Sequence, residues 1–135
     1  MAELGVELLV LCETVSADDA GRCILDRTIG HLVKDEFPAE QSMSLYAEVW
    51  GAPHGNLRVH ARIDGPRGDV LAEHAPDGVG LDEEGVALFA IPFDAVPLRE
   101  AGVHTAVLLA DGQVMAQRRF RVSLAPARTL RTGTL

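Results

Sequence analysis

Two stretches of strict alternation, residues 43–50 and 57–64, constrain the fold more than any other feature of this sequence. Side chains two apart point to the same face of a β-strand, so a period of two predicts strands with one apolar face. The apolar positions are Met43, Leu45, Ala47 and Val49 in the first stretch and Leu57, Val59, Ala61 and Ile63 in the second. We expect these side chains to face a common core.

Shorter apolar runs separated by turn residues fill much of the remaining chain. Further strands are predicted at residues 6–13, 23–33, 70–74 and 86–93. One helical turn is predicted within residues 94–102. Most of these segments are bounded by Gly, Pro or Asp, which is typical of short strands joined by tight turns.

The last hairpin is the strongest local prediction. Asp111 and Gly112 lie between two apolar runs, which is typical of a two-residue turn. Centring the turn there predicts three pairs on the core face, which are Leu109 with Val114, Val107 with Ala116, and Val103 with Phe120.

The whole pattern predicts one all-β domain. At 135 residues the chain has the length of a single domain with its own core. About seven or eight short antiparallel strands predict a β-sandwich with immunoglobulin-like strand order. We expect this sandwich to span residues 1–124. A flexible tail is expected at residues 125–135, where Pro, Thr and Arg occur without periodicity.

The formal net charge of −8 restricts the classes of partner. Nucleic acid and anionic membrane surfaces both favour basic proteins, so we expect neither to bind. The N-terminal residues lack the basic start of a signal peptide, and no apolar run approaches the length of a membrane span. We therefore expect a cytoplasmic protein in which Cys12 and Cys23 stay reduced.

The sequence contains no motif that assigns catalysis, a cofactor or a metal. It has no nucleophile elbow, no P-loop, no dinucleotide-binding glycine motif and no zinc-protease motif. Its five histidines match no zinc spacing, and the acids of residues 75–85 match no calcium-loop pattern. The prediction is a non-catalytic domain without catalytic residues, cofactor or metal.

Several short motifs form a set that covers nearly all of residues 6–122. They are Leu11-Cys12-Glu13, Gly21-Arg22, Phe37-Pro38, residues 45–51 (LYAEVWG), residues 97–104 (PLREAGVH) and the Asp111-Gly112 turn. Together they resemble an uncharacterised bacterial family of small β-sandwich domains of unknown function. Members tend to place Tyr where this chain has His104. The resemblance implies a fold and implies no active site.

The outward side chains of the two alternating stretches are the main candidate for a functional surface. If residues 51–56 join the stretches as a hairpin, these side chains lie together on one face. The proposed members are Tyr46, Glu48, Trp50, Arg58, His60 and Arg62. Trp, Tyr and Arg are the residue types that most often anchor interfaces. The alternative is a sheet face whose aromatic and charged pairs only stabilise the sheet.

The last hairpin predicts a second surface, on the side away from the core. Leu108 and Met115 would be exposed apolar neighbours there. A contiguous exposed apolar patch is typical of an interface, so this sheet is predicted to mediate homodimerisation. The alternative is that a loop or the tail covers both side chains.

These surfaces favour a non-catalytic module that binds a protein partner or a second copy of itself. The alternative hypothesis is a small-molecule domain in which Tyr46, Trp50 and the neighbouring arginines line a pocket for an anionic ligand. A third hypothesis, a hydrolase or isomerase built from Glu48, His60 and loop acids, requires a cleft with strongly perturbed pKa values.

Overall fold

The two alternating stretches form strands that belong to different sheets. The computed structural model describes residues 4–76 and 78–126, which contain strands and turns. The strands are β1 (Gly5–Ala17), β2 (Cys23–Thr28), β3 (His31–Lys34), β4 (Ala39–Trp50), β5 (Asn56–Leu57), β6 (Val59–Asp64), β7 (Val70–His74), β8 (Val79–Gly80), β9 (Val86–Leu98), β10 (Gly102–Ala110) and β11 (Gln113–Leu124).

Two sheets pack face to face around the core. Sheet A has the order β2-β1-β4-β9, sheet B has the order β3-β11-β10-β6-β7, and β5 pairs with β8 in a small third sheet. All pairs are antiparallel in the described residues except β3 with β11. The orders β1-β4-β9 and β11-β10-β6 correspond to strands A-B-E and G-F-C of an immunoglobulin domain. The predicted immunoglobulin-like antiparallel sandwich is confirmed.

The core lies where the alternation placed it. Every apolar position predicted in the two stretches is buried, and Leu45, Ala47, Ala61 and Ile63 have no exposed surface. Side chains of β1, β9, β10 and β11 complete the same cluster. Burial of such apolar surface contributes about 25 cal/mol per Å² to folding. The period-two pattern therefore identifies the interior correctly.

The described residues hold eleven strands rather than the predicted seven or eight. One reason is that the predicted strand at residues 23–33 divides into β2 of sheet A and β3 of sheet B. Ile29, which is buried, lies at the crossing between the two layers. The irregular pattern of this segment results from that change of sheet. The short β5 and β8 account for the remaining difference.

The predicted helical turn at residues 94–102 is wrong. Strand β9 continues to Leu98, and Ser42 of β4 lies opposite two residues of β9, Asp94 and Ala95. Ala95 has a φ of 51° and donates its backbone N–H to Ser42 Oγ at 3.2 Å. This β-bulge shifts the apolar alternation by one residue, which disguises the strand in the sequence.

The last hairpin has the predicted turn and a different register. Asp111 and Gly112 both have positive φ (50° and 82°), as a type I′ turn requires, and Leu109 pairs with Val114 as predicted. Beyond them Met115 is an extra residue, so Leu108 pairs with Ala116, Val107 with Gln117, and Val103 with Arg121. The predicted Val107–Ala116 and Val103–Phe120 pairs are therefore wrong.

The face of this hairpin that packs on the core is not the predicted face, which carries Val103, Val107 and Leu109. His104 and Leu108 face the interior, whereas Val103 is 46% exposed. Of the predicted tail, residues 127–135 lie outside the described residues.

Candidate functional site

The predicted surface is divided between two faces of the molecule. Tyr46, Glu48 and Trp50 lie on β4 in sheet A, whereas His60 and Arg62 lie on β6 in sheet B. Arg58 lies between β5 and β6. The predicted β4–β6 hairpin is wrong because residues 51–56 carry the chain from one sheet to the other. The two sets of outward side chains consequently point away from each other.

The outer surface of sheet A is an apolar face built from three adjacent strands. Its large side chains are Leu8 and Val10 of β1, Tyr46 and Trp50 of β4, and Val86 and Leu88 of β9. The exposed fractions of Leu8, Trp50, Val86 and Leu88 range from 37% to 54%. Exposed apolar side chains that occur singly are ordinary, but a contiguous set on a regular sheet is typical of an interaction surface.

Trp50 is the largest member of this apolar face. Its neighbours across the sheet are Gly5 on β1 and Val86 on β9. The indole ring lies over the Gly5 backbone, where a Cβ would overlap the ring. Glycine is therefore needed at this position for close approach. The aromatic side chain lies flat on the sheet, with 42% of its surface left exposed.

Glu48 places a charge near the middle of the apolar face. It lies between Leu8 and Leu88 in the strand register. Its carboxylate accepts a hydrogen bond from the Tyr46 hydroxyl at 2.9 Å. Burial, the bond to Glu48 and the nearby Cys23 thiol raise the pKa of Tyr46 well above its ordinary value. The phenol therefore stays protonated and remains a donor to Glu48.

The free edge beside this face is interrupted by proline. Strand β9 is an edge of sheet A and contains Pro92 and Pro97. Proline has no backbone N–H, so an incoming strand would meet two positions without a donor. Such residues protect an edge against strand addition. Strand addition at the β9 edge of sheet A is therefore disfavoured.

The outer surface of sheet B is charged and largely paired internally. Arg62 Nε donates to both oxygens of Asp64, at 3.0 and 3.1 Å. His60 lies 3.8 Å from Glu73. Arg58 and His60 do line a hollow of about 520 Å³, but the acidic Asp111 also lines it. The combined pocket wall that the anionic-ligand hypothesis required is not formed.

The Leu108–Met115 surface predicted for homodimerisation is not present. Leu108 is 1% exposed and belongs to the core, and Met115 is only partly exposed beside the bulge. The reason is the phase of β10, in which residues 104, 106 and 108 point inward. Dimerisation through these two side chains would require the core to open, so that prediction is wrong.

Few polar groups are enclosed by the described residues. His104 is fully buried, its Nδ1 lies 3.1 Å from the Gly102 carbonyl oxygen, and its Nε2 has no hydrogen-bond partner. Its ring lies against Phe120, with the centroids 5.3 Å apart. No group of three or more His, Cys, Asp or Glu side chains in residues 4–76 and 78–126 could hold a metal ion.

Sequence reasoning missed four of the six large side chains of the apolar face. Leu8, Val10, Val86 and Leu88 were not singled out, although each lies directly beside a predicted member on β4. The available signal was that β1 and β9 are apolar on both faces, whereas a sheet with one solvated face alternates. Strands that are apolar on both faces and lie beside Trp50 indicate that the outer face of the sheet is an interaction surface.

These features define an immunoglobulin-like β-sandwich domain with one apolar outer face. The model of a family of unknown function, DUF6941, matches residues 7–123. The chain belongs to that family. No curated protein matches it.

Solved structures show the same fold at low sequence identity. The alkylpurine DNA glycosylase AlkC of Pseudomonas fluorescens, bound to DNA with an abasic site analog, aligns with a TM-score of 0.58 and 14% identity over 90% of this chain. A β-glucosidase of Listeria innocua in complex with glucose aligns with a TM-score of 0.51 and 8% identity, also over 90%. A CARDB domain of Pyrococcus furiosus in complex with di-metal ions has a TM-score of 0.49 and 10% identity over 92%.

This chain spans 31% of the glycosylase and 16% of the β-glucosidase, but 96% of the CARDB domain. At these identities the likeness concerns the fold alone. No helix long and apolar enough to cross a membrane occurs in the part of the chain that the structure describes.

Proposed function

We propose that this domain is a non-catalytic protein-interaction module that associates through the apolar face of sheet A, and that its partner is a second copy of the chain. The observation that carries the proposal is the set of Leu8, Trp50, Val86 and Leu88, contiguous and each more than a third exposed. Covering these side chains removes apolar surface from water, which is the main driving force for association.

The distribution of charge supports a second copy as the partner. The chain carries a formal net charge of −8, so two copies repel each other over most of their surfaces. The apolar face carries few charges, namely Glu48, whose carboxylate already accepts a hydrogen bond from Tyr46, and Glu7 at the bulge of β1 beside Leu8. Two apolar faces can therefore approach with less repulsion than any acidic region of the surface.

Sheet geometry supports the same arrangement. Two copies of one sheet have the same right-handed twist, so they stack face to face with the strands at about −30°, as the sheets of a sandwich do. A symmetric contact of this kind closes at two copies. Pro92 and Pro97 on β9 disfavour a competing edge-to-edge contact through that strand.

The expected affinity is modest because the face is small. Three strands about 4.8 Å apart, each contributing about seven residues at about 3.3 Å, cover less than the roughly 800 Å² per partner of a standard interface. We therefore propose a monomer–dimer equilibrium in the micromolar range, with the dimer populated at high concentration.

We also propose a reducing, cytoplasmic setting for the domain. Cys12 is buried and Cys23 is exposed, and both are free thiols. Exposed unpaired cysteines are avoided where disulfides form readily, so this pair of thiols suits a reducing compartment.

Size-exclusion chromatography with light scattering tests the association. The fluorescence emission of Trp50 is measured over the same protein concentrations. Trp50 is the single Trp, so its emission reports on the apolar face alone. We expect the parent to dimerise as concentration rises, with a blue shift of the emission. Leu88→Asp should raise the protein concentration at which half of the chains are dimeric at least about tenfold, because it places a charge in the contact.

Val33→Asp is the matched control, since Val33 is also an exposed apolar side chain (56%) but lies on β3 of the other sheet. It should leave the concentration of half-dimerisation unchanged. Glu48→Gln should tighten the dimer, because it removes the like charges brought together. A parent that stays monomeric at millimolar concentration, or a Val33→Asp variant that dissociates as readily as Leu88→Asp, overturns the proposal.

A further inference from the structure

A hollow of about 290 Å³ lies on sheet B, far from the apolar face. Its lining residues are Gly30, Val103, Arg119, Phe120 and Arg121. Arg119 lies opposite Thr105, and Arg121 lies opposite Val103 on one side and His31 on the other. Because Arg119 and Arg121 are two apart on β11, their side chains leave the same face of the sheet.

The two guanidinium groups have no acidic partner within the described residues. Neither Arg119 nor Arg121 forms an ion pair within 4.0 Å, whereas Arg22, Arg27, Arg62, Arg67 and Arg99 all do. Their pairing is not limited by a shortage of acids, since the chain has 20 acidic residues against 12 basic ones. Like charges held side by side on a sheet are destabilising. An anion between these two arginines would offset that repulsion.

The rest of the hollow is open and partly apolar. A Cβ added at Gly30 would meet nothing within 4 Å, so the missing side chain leaves free space there. Val103 is 46% exposed and offers an apolar surface between the strands. Two cationic donors next to an apolar surface suit a ligand that has an anionic end and an apolar body.

We propose that this hollow binds a small organic anion, a carboxylate or phosphate monoester that carries an apolar group. Arg119 and Arg121 receive the anionic group, because a planar guanidinium matches carboxylate and phosphate oxygens in paired hydrogen bonds. Val103 receives the apolar group. The larger hollow at Arg58 and His60 is a weaker candidate, because Asp111 contributes a negative charge to its wall.

Calorimetric titration with phenyl phosphate and, separately, with inorganic phosphate tests the site. We expect the parent to bind phenyl phosphate several-fold more tightly than inorganic phosphate, owing to the contact with Val103. The double variant Arg119→Gln/Arg121→Gln should lose about tenfold or more in affinity, since it removes the charge-assisted hydrogen bonds. Gly30→Val should also weaken binding, because its side chain occupies the open space.

Arg118→Gln is the matched control. Arg118 directly precedes Arg119, is exposed, and projects from the other face of β11. It removes the same charge without touching the hollow, so binding should be unchanged. The single variant Arg119→Gln, which removes one charge within the hollow, should weaken binding. An equal loss in Arg118→Gln would mean general electrostatic attraction and overturn the proposal. The absence of phenyl phosphate binding at millimolar concentration would do so too.

The site and the proposed dimer are separable. Leu88→Asp, on the opposite sheet, should leave phenyl phosphate binding intact even where it abolishes association. Thermal unfolding of each variant shows whether the fold is retained, and all the substituted arginines are exposed.

Discussion

The two outer faces of this sandwich are built on the same alternating pattern and have opposite character. On sheet A, Trp50 and Glu48 are flanked by Val86, Leu8 and Leu88, so the strands add apolar surface to one another. On sheet B, Arg62 of β6 lies opposite Glu73 of β7 and also donates to Asp64 of its own strand, so charge there meets opposite charge. An outer face is therefore defined by three neighbouring strands together, and one strand alone does not reveal its character.

The difference has an energetic consequence. Most charges near β6 are satisfied within sheet B, so covering them with another protein gains little, because each pair would lose water without gaining a better partner. The apolar side chains of sheet A gain from being covered. Strand β11 differs, because Arg118, Arg119 and Arg121 form no ion pair within the described residues.

The largest predicted effect distinguishes the core from the apolar face. Leu108→Asp should destabilise the domain by more than about 4 kcal/mol, because it buries a carboxylate without a partner. Leu88→Asp should change the free energy of unfolding by no more than about 1 kcal/mol, because Leu88 is 54% exposed. Urea unfolding followed by circular dichroism measures both. A stable, folded Leu108→Asp variant would place the hairpin in the opposite phase and contradict the distinction between the two faces.

The origin of that distinction shows what the sequence could predict. The interior followed from period two in residues 43–50 and 57–64, because in each stretch the inward positions are all apolar and the outward positions include polar or charged side chains. The phase of β10 could not be predicted, since Val107, Leu108 and Leu109 are all apolar and all buried. Only the Met115 bulge, a property of strand pairing, determines which of them faces the core.

The candidate surface failed for a related reason. The predicted hairpin required residues 51–56 to reverse the chain within one sheet, and a short Gly- and Pro-containing loop is equally compatible with a crossing between sheets. Gly51 donates to the Gly85 carbonyl oxygen at 2.8 Å, so this loop is held by the segment before β9. Pairing between segments that are distant in sequence decided the outcome, and neither segment carries that information alone.

The next prediction concerns the Tyr46 phenol, which donates a hydrogen bond to Glu48 on the apolar face. Tyr46 is the single Tyr, so phenolate absorbance at 295 nm reports on it alone. Since its pKa is raised in the folded state, the folded protein holds the proton more tightly than the unfolded chain. The contribution of the protonated phenol to the free energy of unfolding is complete below about pH 10. As the pH rises further, the free energy of unfolding falls by about 1.4 kcal/mol per pH unit.

In the folded protein we therefore expect no phenolate absorbance near pH 10, and its appearance should coincide with unfolding. Tyr46→Phe should remove this component of the alkaline loss while costing about 1 kcal/mol at neutral pH, through the lost bond to Glu48. A phenol that ionises near pH 10 in the folded protein would show that Tyr46 is open to solvent, and the apolar face would be correspondingly less ordered.

The smallest effect concerns the charged face, where the paired character of sheet B is itself testable. Asp64 accepts two bonds from Arg62 and its side chain is 18% exposed, whereas the Glu100 partner of Arg67 is 39% exposed and Arg67 is 81% exposed. Asp64→Asn should cost about 1 kcal/mol in low salt and less in 1 M salt, because the ions screen the pair. Glu100→Gln should cost less than about 0.5 kcal/mol at either salt concentration.

Equal effects from the two substitutions would mean that the Arg62–Asp64 pair adds nothing beyond an ordinary surface contact. The charges near β6 would then be as available to a partner as Arg119 and Arg121.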